Sequence, residues 1–335
     1  MTKKTTEPPV RPNGIAGFIH HLLDKLYPHL DSLFLLRPVL FMPVWTVTVA
    51  GLSVGYWLVE PDFFWRVAWS WQVILVIIGV SLITGSAFIR AQLQEGGETE
   101  IKGHASVIAV AGATPDHARR LMWMYLGVGL ALLLPGGWLT VLMGVALYAI
   151  WGILYGSNPV TWKGKPPVEG MIHLLAGAAL FYLGLAASGA DLAGSLNLAM
   201  PYFFGIASVA ALIAITPGPR YPDDRPRPGI ATTIPTIIVS AIMALVATIW
   251  GYQNGDPAIS TAAVLALPFH AVALYYRREI DIVRTCRYSI LLFVIFVGAR
   301  YPLLYIPVII DFYLSRYYYR RRFGFVYPTF HLEHE

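Results

Sequence analysis

The sequence predicts an all-α polytopic membrane protein, a bundle of about nine apolar helices. Three observations predict it. Hydrophobic residues make up 56% of the 335 residues and charged residues only 13%, against about 25% charged in a soluble domain; mean hydropathy is +0.60. Apolar runs recur along the whole chain, each near the roughly 20 residues that cross a bilayer. Basic residues gather in alternate loops between those runs, as membrane orientation requires.

Residues 1–14 are polar and carry Pro8, Pro9 and Pro12. No short apolar core with a small-residue cleavage site follows, so the first span is read as its own insertion signal. Ile15, Phe18, Ile19, Leu22, Leu23, Leu26 and Leu30 then recur at helical spacing, which predicts an interfacial helix lying on the headgroups over 15–36. Spans follow at about 38–58, 69–90, 119–134, 137–155, 169–188, 197–216, 231–250 and 259–276. The last apolar stretch, 287–315, is interrupted by Arg300-Tyr301-Pro302. It reads as one tilted or kinked ninth helix, with a hairpin of a ninth and a tenth as the alternative. The division is a polar and interfacial segment over 1–36, a transmembrane domain over 37–318 and a basic, aromatic tail over 319–335.

Lys3, Lys4, Arg11, Lys25 and Arg37 precede span one. Arg90, Lys102, Arg119 and Arg120 follow span two; Lys163 and Lys165 follow span four; Arg220, Arg225 and Arg227 follow span six; Arg277, Arg278, Arg284 and Arg287 follow span eight. The opposite loops hold Arg66 and Arg300 beside Glu60, Asp62, Asp191 and Asp256. The N-terminus and the long loops are therefore expected to face the cytoplasm, and the expected location is a bacterial inner membrane. The tail, Arg316 through Arg320-Arg321-Arg322, obeys the rule with ten spans and breaks it with nine.

Other classes fall away. Cys286 is the single cysteine, so no internal disulfide or thiolate cluster forms. His20 and His21 are adjacent, and His173 and His270 sit in apolar segments, where a packing role satisfied by hydrogen bonds is expected. The net charge of +5 lies in loops between spans and not on a nucleic-acid surface. The spans lack the buried charges of ion-coupled carriers.

Two polar loops carry the chemistry. Residues 91–104 contain Glu95, Glu98, Glu100 and Lys102; residues 216–229 contain Arg220, Asp223, Asp224, Arg225 and Arg227. Paired acidic loops at one membrane face suit a magnesium–diphosphate site, because Mg²⁺ takes carboxylate and phosphate oxygens. The alternative is solvated acids paired with Lys102, Arg225 and Arg227.

Several segments together resemble the UbiA superfamily of intramembrane prenyltransferases. Leu36-Arg37-Pro38-Val39-Leu40-Phe41-Met42-Pro43 resembles its arginine-proline opening. Tyr155, Pro159, Lys163 and Pro166 match its Tyr-Ser-x-Pro-Pro-x-Arg-x-Lys-x-x-Pro pattern, with Thr161 where the arginine is expected. Ile83-Thr84-Gly85-Ser86-Ala87-Phe88 is similar to the lead-in of the first aspartate-rich motif. Gly229 through Thr232-Thr233-Ile234-Pro235 is similar to the end of the second, and Tyr318 through Pro328 to the tail of bacterial members. On the first motif, Asn-Asp-x-x-Asp-x-x-x-Asp, this chain places Ala91, Gln92, Glu95 and Thr99. In the second, Asp224-Arg225 is kept, Asp223 replaces glycine and Arg220 stands for the first acid.

The resemblance implies nine helices around a lipid-accessible central cavity, and transfer of a polyprenyl group from a prenyl diphosphate to a lipophilic acceptor. A quinone precursor, a carotenoid or a tetrapyrrole would serve as acceptor. It implies Glu95 and Asp224 as catalytic residues, and Mg²⁺ on Glu95, Glu98, Glu100, Asp223 and Asp224. It implies Arg37, Lys102, Lys163 and Arg225 as diphosphate binders, and Trp45, Phe88, Tyr148, Trp151 and Tyr155 as cavity aromatics. The altered motifs leave a second expectation: a non-catalytic member that binds a quinone, pigment or polyprenyl lipid, or serves as a subunit of a membrane complex.

Overall fold

The computed structural model describes residues 30–59, 70–94, 114–155, 166–192, 195–215 and 230–323. Among them run ten long helices: α1 (Phe41–Val59), α2 (Trp71–Gln94), α3 (Pro115–Leu133), α4 (Trp138–Tyr148), α5 (Pro166–Ala187), α6 (Phe203–Ile215), α7 (Ile230–Gln253), α8 (Pro257–Tyr276), α9 (Glu279–Arg300) and α10 (Tyr305–Phe323). A π-helical turn, Ala149–Tyr155, prolongs α4. Two short turns, Leu196–Ala199 and Met200–Tyr202, lead into α6. Eight of these segments are long and apolar enough to cross a membrane, α1 being counted from Leu30 and α6 from Leu196. The other two, α3 and α10, carry charges: Asp116, Arg119 and Arg120 on one, Asp311, Arg316 and Arg320-Arg321-Arg322 on the other.

Local chemistry sets the helix starts. Thr114 caps α3 by accepting from the His117 amide at 3.2 Å, with Pro115 and Asp116 in the first turn. Asp256 caps α8 by accepting from the Ile259 amide at 3.1 Å, ahead of Pro257. Packing then depends on small residues, since lipid offers no hydrophobic drive for helices to associate. A Cβ on Gly51 of α1 would lie 1.9 Å from the Phe181 carbonyl oxygen. One on Gly184 of α5 would lie 2.0 Å from that of Thr48. The α1 and α5 backbones touch at this crossing. Outward faces remain apolar, and Trp71 (61% exposed), Trp138 (76%) and Tyr252 (80%) stand at helix ends, where aromatic belts form.

The helices alternate between two ends of the bundle. At one end, here the near end, α1 begins, α2 and α6 finish, and α5 and α7 begin; a Cβ on Gly170 of α5 would meet Thr236 of α7 and Ala214 of α6. At the far end Arg300 of α9 pairs with Asp256 and bonds Tyr202, and its guanidinium lies 5.8 Å from the Trp57 ring centre of α1. The chain leaves the described helices at Gln94, Tyr155 and Ile215 and resumes at Thr114, Pro166 and Ile230.

The last apolar stretch departs from the single kinked helix expected over 287–315. Helix α9 stops at Arg300, a short turn covers Pro302–Leu304, and α10 starts afresh at Tyr305. Tyr301 adopts φ −127° and ψ 73°, outside the helical region that a following proline disfavours. Helix α10 then returns to the near end: the Tyr318 hydroxyl donates to Asp31 at 2.8 Å, Arg322 pairs with Asp31, and Phe34 stacks on Tyr318 at 3.6 Å. Nineteen residues rise about 28 Å, close to a hydrocarbon core of about 30 Å. Both ends of the described chain therefore share one face, the ten-helix alternative.

A labelling experiment in sealed, oriented vesicles checks this. Native Cys286 is fully buried and contributes no background. Cysteines placed at Arg321 and Arg278 should react from the same side with an impermeant maleimide, and a cysteine at Gln253 from the other.

Candidate functional site

The near end gathers the candidate residues that the structure describes. Arg37 follows the buried run Phe34-Leu35-Leu36 and precedes a 3₁₀ turn, Pro38–Leu40. Its backbone is left-handed, φ 54° and ψ 60°. That region costs a non-glycine residue about 1 kcal/mol, and such strain collects where the surroundings enforce it. Here the Arg37 amide donates to the Phe34 carbonyl at 3.0 Å, and the Leu40 amide to the Arg37 carbonyl at 2.9 Å. Two residues before Arg37, the Leu35 carbonyl accepts from the Gln92 side-chain amide at 3.1 Å. Gln92 is 1% exposed and also donates to the Phe88 carbonyl at 3.2 Å. The end of α2 is thus clamped to the segment that presents Arg37.

The aromatic candidates divide. Phe88 of α2 and Trp151 of the π turn lie 5.8 Å apart. Trp151 donates its indole N–H to His173 Nδ1 at 3.1 Å, and Tyr155 meets the His173 ring edge-on at 4.8 Å. Phe88 meets Trp151 directly, and His173 links Tyr155 to that pair as one wall. Trp45 instead donates to Ser81 Oγ at 2.7 Å and packs 5.9 Å from Phe41. Tyr148 turns toward α3, its hydroxyl donating to Met122 Sδ at 3.9 Å and its ring 6.4 Å from Trp123. The structure therefore brings Phe88, Trp151 and Tyr155 together and places Trp45 and Tyr148 at neighbouring helix contacts.

Trp151 and Tyr155, four residues apart on the π turn that prolongs α4, share a face and both reach α5. The partners there are Glu169 and His173, each 7% exposed. They are four residues apart, so they share one face of α5. The Tyr155 hydroxyl donates to Glu169 Oε1 at 2.6 Å. Glu169 sits in the first turn of α5, where the helix dipole favours a negative charge. The role expected of His173, packing satisfied by hydrogen bonds, is met by the Trp151 indole; Glu169 is not among the residues that the sequence singles out. The signal was present: an acid and a histidine at i and i+4 in an otherwise apolar span.

Glu95, Glu98, Glu100, Lys102, Lys163, Asp223, Asp224 and Arg225 lie outside the described residues. Among the described residues no group of three or more His, Cys, Asp or Glu could hold a metal. His173 Nδ1 is already engaged by Trp151, so Glu169 and His173 do not complete such a group. Any cation at this end would need the acidic stretches that leave α2 and precede α7.

No protein-family model matches the sequence, and no curated protein matches it. Solved structures match the fold. A UbiA homolog from Archaeoglobus fulgidus bound to GPP and Mg²⁺ superposes with a TM-score of 0.55 at 17% identity, covering 81% of this chain and 99% of that one. The same homolog bound to DMAPP and Mg²⁺ gives 0.52 at 16%, covering 82% and 99%. A digeranylgeranylglyceryl phosphate synthase gives 0.57 at 14%, covering 85% and 98%. Those proteins are matched almost whole, while part of this chain extends beyond them.

The Arg37 geometry makes a stability prediction. Arg37→Gly adopts φ 54° without strain and should melt no lower than wild type in detergent. Arg37→Val should melt lower, by the equivalent of about 1 kcal/mol. A thermal-shift series checks the order; equal melting of both variants would remove the strain assignment.

Proposed function

From a chain with the fold of the UbiA homologs, we propose an intramembrane prenyltransferase that moves a polyprenyl group from a prenyl diphosphate to a lipophilic acceptor. The observation that carries the reading is the joining of Phe88, Trp151 and Tyr155 into one aromatic wall at the end of the bundle where α2 finishes and α7 begins. That is the end from which both acidic stretches run, on a fold whose solved relatives were captured with GPP, DMAPP and Mg²⁺.

Departure of diphosphate is the demanding step, since it leaves as a highly charged anion from an allylic carbon. Arg37, Lys102, Lys163 and Arg225 would hold that anion, arginine as a planar fork and lysine as a point charge. Glu95, Glu98, Glu100, Asp223 and Asp224 would hold Mg²⁺, which would supply neutralisation of charge on the leaving group. The carboxylate oxygens are hard donors and fit that ion. Glu95 and Asp224 are the pair on which turnover depends in this reading. The electron-rich faces of Phe88, Trp151 and Tyr155 stabilise the allylic cation as it forms. The prenyl tail lies among apolar helices, and the near end faces the cytoplasm, following its basic residues.

A non-catalytic reading has one observation in its favour. Gln92 opens the acidic stretch, yet its amide is spent on the Leu35 and Phe88 carbonyls. In that reading the site keeps a quinone, pigment or polyprenyl lipid without turning it over.

Calorimetric titration of the purified protein with geranylgeranyl diphosphate separates the two. The enzyme reading expects binding that needs magnesium, that Asp224→Ala removes and that Asp62→Ala leaves intact. Binding indifferent to magnesium, or equal losses in both variants, would overturn the assignment.

A further inference from the structure

We propose that the outward face of α10 binds an anionic phospholipid of the near-end leaflet, with Arg316 and Arg320 holding its phosphate. The proposal rests on α10 crossing the membrane and stands apart from the prenyltransferase reading. One side of α10 is buried, at Leu304, Asp311, Ser315 and Tyr318. The other side carries Ile306, Ile309, Ile310 and Tyr313, then Arg316 and Arg320, all exposed. These positions recur at three and four residues, so they form one stripe along the helix. The stripe is graded: isoleucines toward the far end, then a tyrosine, then arginines toward the near end.

That grading matches one phospholipid laid along the helix. Arg316 and Ile306 are ten residues apart, a rise of about 15 Å. Half of a hydrocarbon core is about 15 Å as well, so the acyl chain of one leaflet covers the isoleucines. Tyr313 lies about one turn below Arg316, where a lipid's ester carbonyls offer its hydroxyl an acceptor.

Arg316 is the residue that calls for a ligand. Arg320, Arg321 and Arg322 fall in the last turn of α10, where the helix dipole and membrane orientation both favour a cation. Arg316 lies seven residues before Phe323, about 10 Å inside, beyond the reach of the dipole effect. On a lipid-facing stripe at that depth a guanidinium is costly unless an anion or water comes to it. Its guanidinium lies 5.7 Å from the Phe312 ring centre. That contact covers one face of the fork and leaves the N–H edges for an anion. Among the described residues no acid pairs with Arg316 or Arg320; Asp31 takes Arg322, Asp116 takes Arg119 and Asp256 takes Arg300.

The two arginines also select the headgroup. One fork takes two phosphate oxygens. The second, four residues nearer the end of α10, repels the ammonium of a choline or ethanolamine and tolerates a glycerol, so the lipid is net anionic. Both cations are arginine, whose planar fork matches phosphate better than the point charge of lysine.

Native mass spectrometry of the purified full-length protein in detergent tests this, with phosphatidylglycerol and phosphatidylcholine of equal chain length supplied together. Wild type should retain phosphatidylglycerol about tenfold over phosphatidylcholine, the value of one hydrogen-bonded charge pair. Arg316→Gln combined with Arg320→Gln should abolish that preference. Arg119→Gln combined with Arg120→Gln removes two charges from the same end of the bundle and should leave it unchanged. Arg316→Lys keeps the charge, loses the fork and should lose part of the preference; it carries the test if the Arg316→Gln, Arg320→Gln protein melts lower than wild type. Glycerol phosphate, a headgroup without tails, should not displace the lipid at equal concentration. Equal retention of the two lipids by wild type, or an unchanged preference in Arg316→Lys, would overturn the proposal. So would equal losses in the two double variants, which would make the preference a general effect of positive charge. Displacement by glycerol phosphate would overturn it by making the site one for free phosphate.

Discussion

Asp31 is the residue on which the near end depends. It is 4% exposed, and its two oxygens take the Tyr318 hydroxyl and the Arg322 guanidinium, both from the last helix. A buried carboxylate stripped of its partners costs several kcal/mol, so the two ends of the described chain are joined by an interaction that is expensive to break. Stacking of Phe34 on Tyr318 closes the contact with apolar area. The consequence reaches the site directly. Leu35 donates to the Asp31 carbonyl at 3.1 Å and accepts from Gln92, and Arg37 stands two residues further on. The left-handed turn at Arg37 persists because α10 holds one side of it and α2 the other.

The far end is tied by the same three residue types, Asp256, Arg300 and Tyr202, from the start of α8, the end of α9 and the lead-in to α6. Asp256 caps α8 with one oxygen as well, so a single carboxylate fixes a helix start and a helix end. Between the ends, Ser208, Ser240 and His270 form a buried chain at 3.0 and 2.9 Å that joins α6, α7 and α8. Such polar contacts hold helices in register where lipid gives no hydrophobic drive. At the near end Trp151 and Tyr155 tie the π turn to His173 and Glu169 of α5 in the same way, with Phe88 of α2 against Trp151.

The spans were legible because their hydropathy and length are set by the bilayer, and the sequence boundaries fall close to the helix ends. The final pair was not. Arg300 looked like an interruption within one helix, because its partner Asp256 lies 44 residues away and no local pattern announces the pairing. Helix α10 was hidden by Asp311 and by Arg316 through Arg322; Arg322 pairs with Asp31 and Asp311 accepts from Ser315 of its own helix. At the site, aromatic residues near helix ends were readable, but which of them meet was not. Contacts between α2, the π turn and α5 decide that, and they join residues far apart in the sequence. Glu169 resembles an ordinary helix start and His173 an ordinary packing histidine; only their contacts with Tyr155 and Trp151 show the two as one cluster.

The central claim is that a prenyl diphosphate lies along the wall formed by α2, the π turn and α5. Photo-crosslinking with a benzophenone-tailed prenyl diphosphate, followed by peptide mapping, tests it most directly. The account predicts magnesium-dependent adducts on peptides that contain Phe88, Trp151 or Tyr155, suppressed by unlabelled geranylgeranyl diphosphate. Adducts confined to outward residues such as Trp138 or Tyr252, with no response to magnesium or competitor, would contradict it.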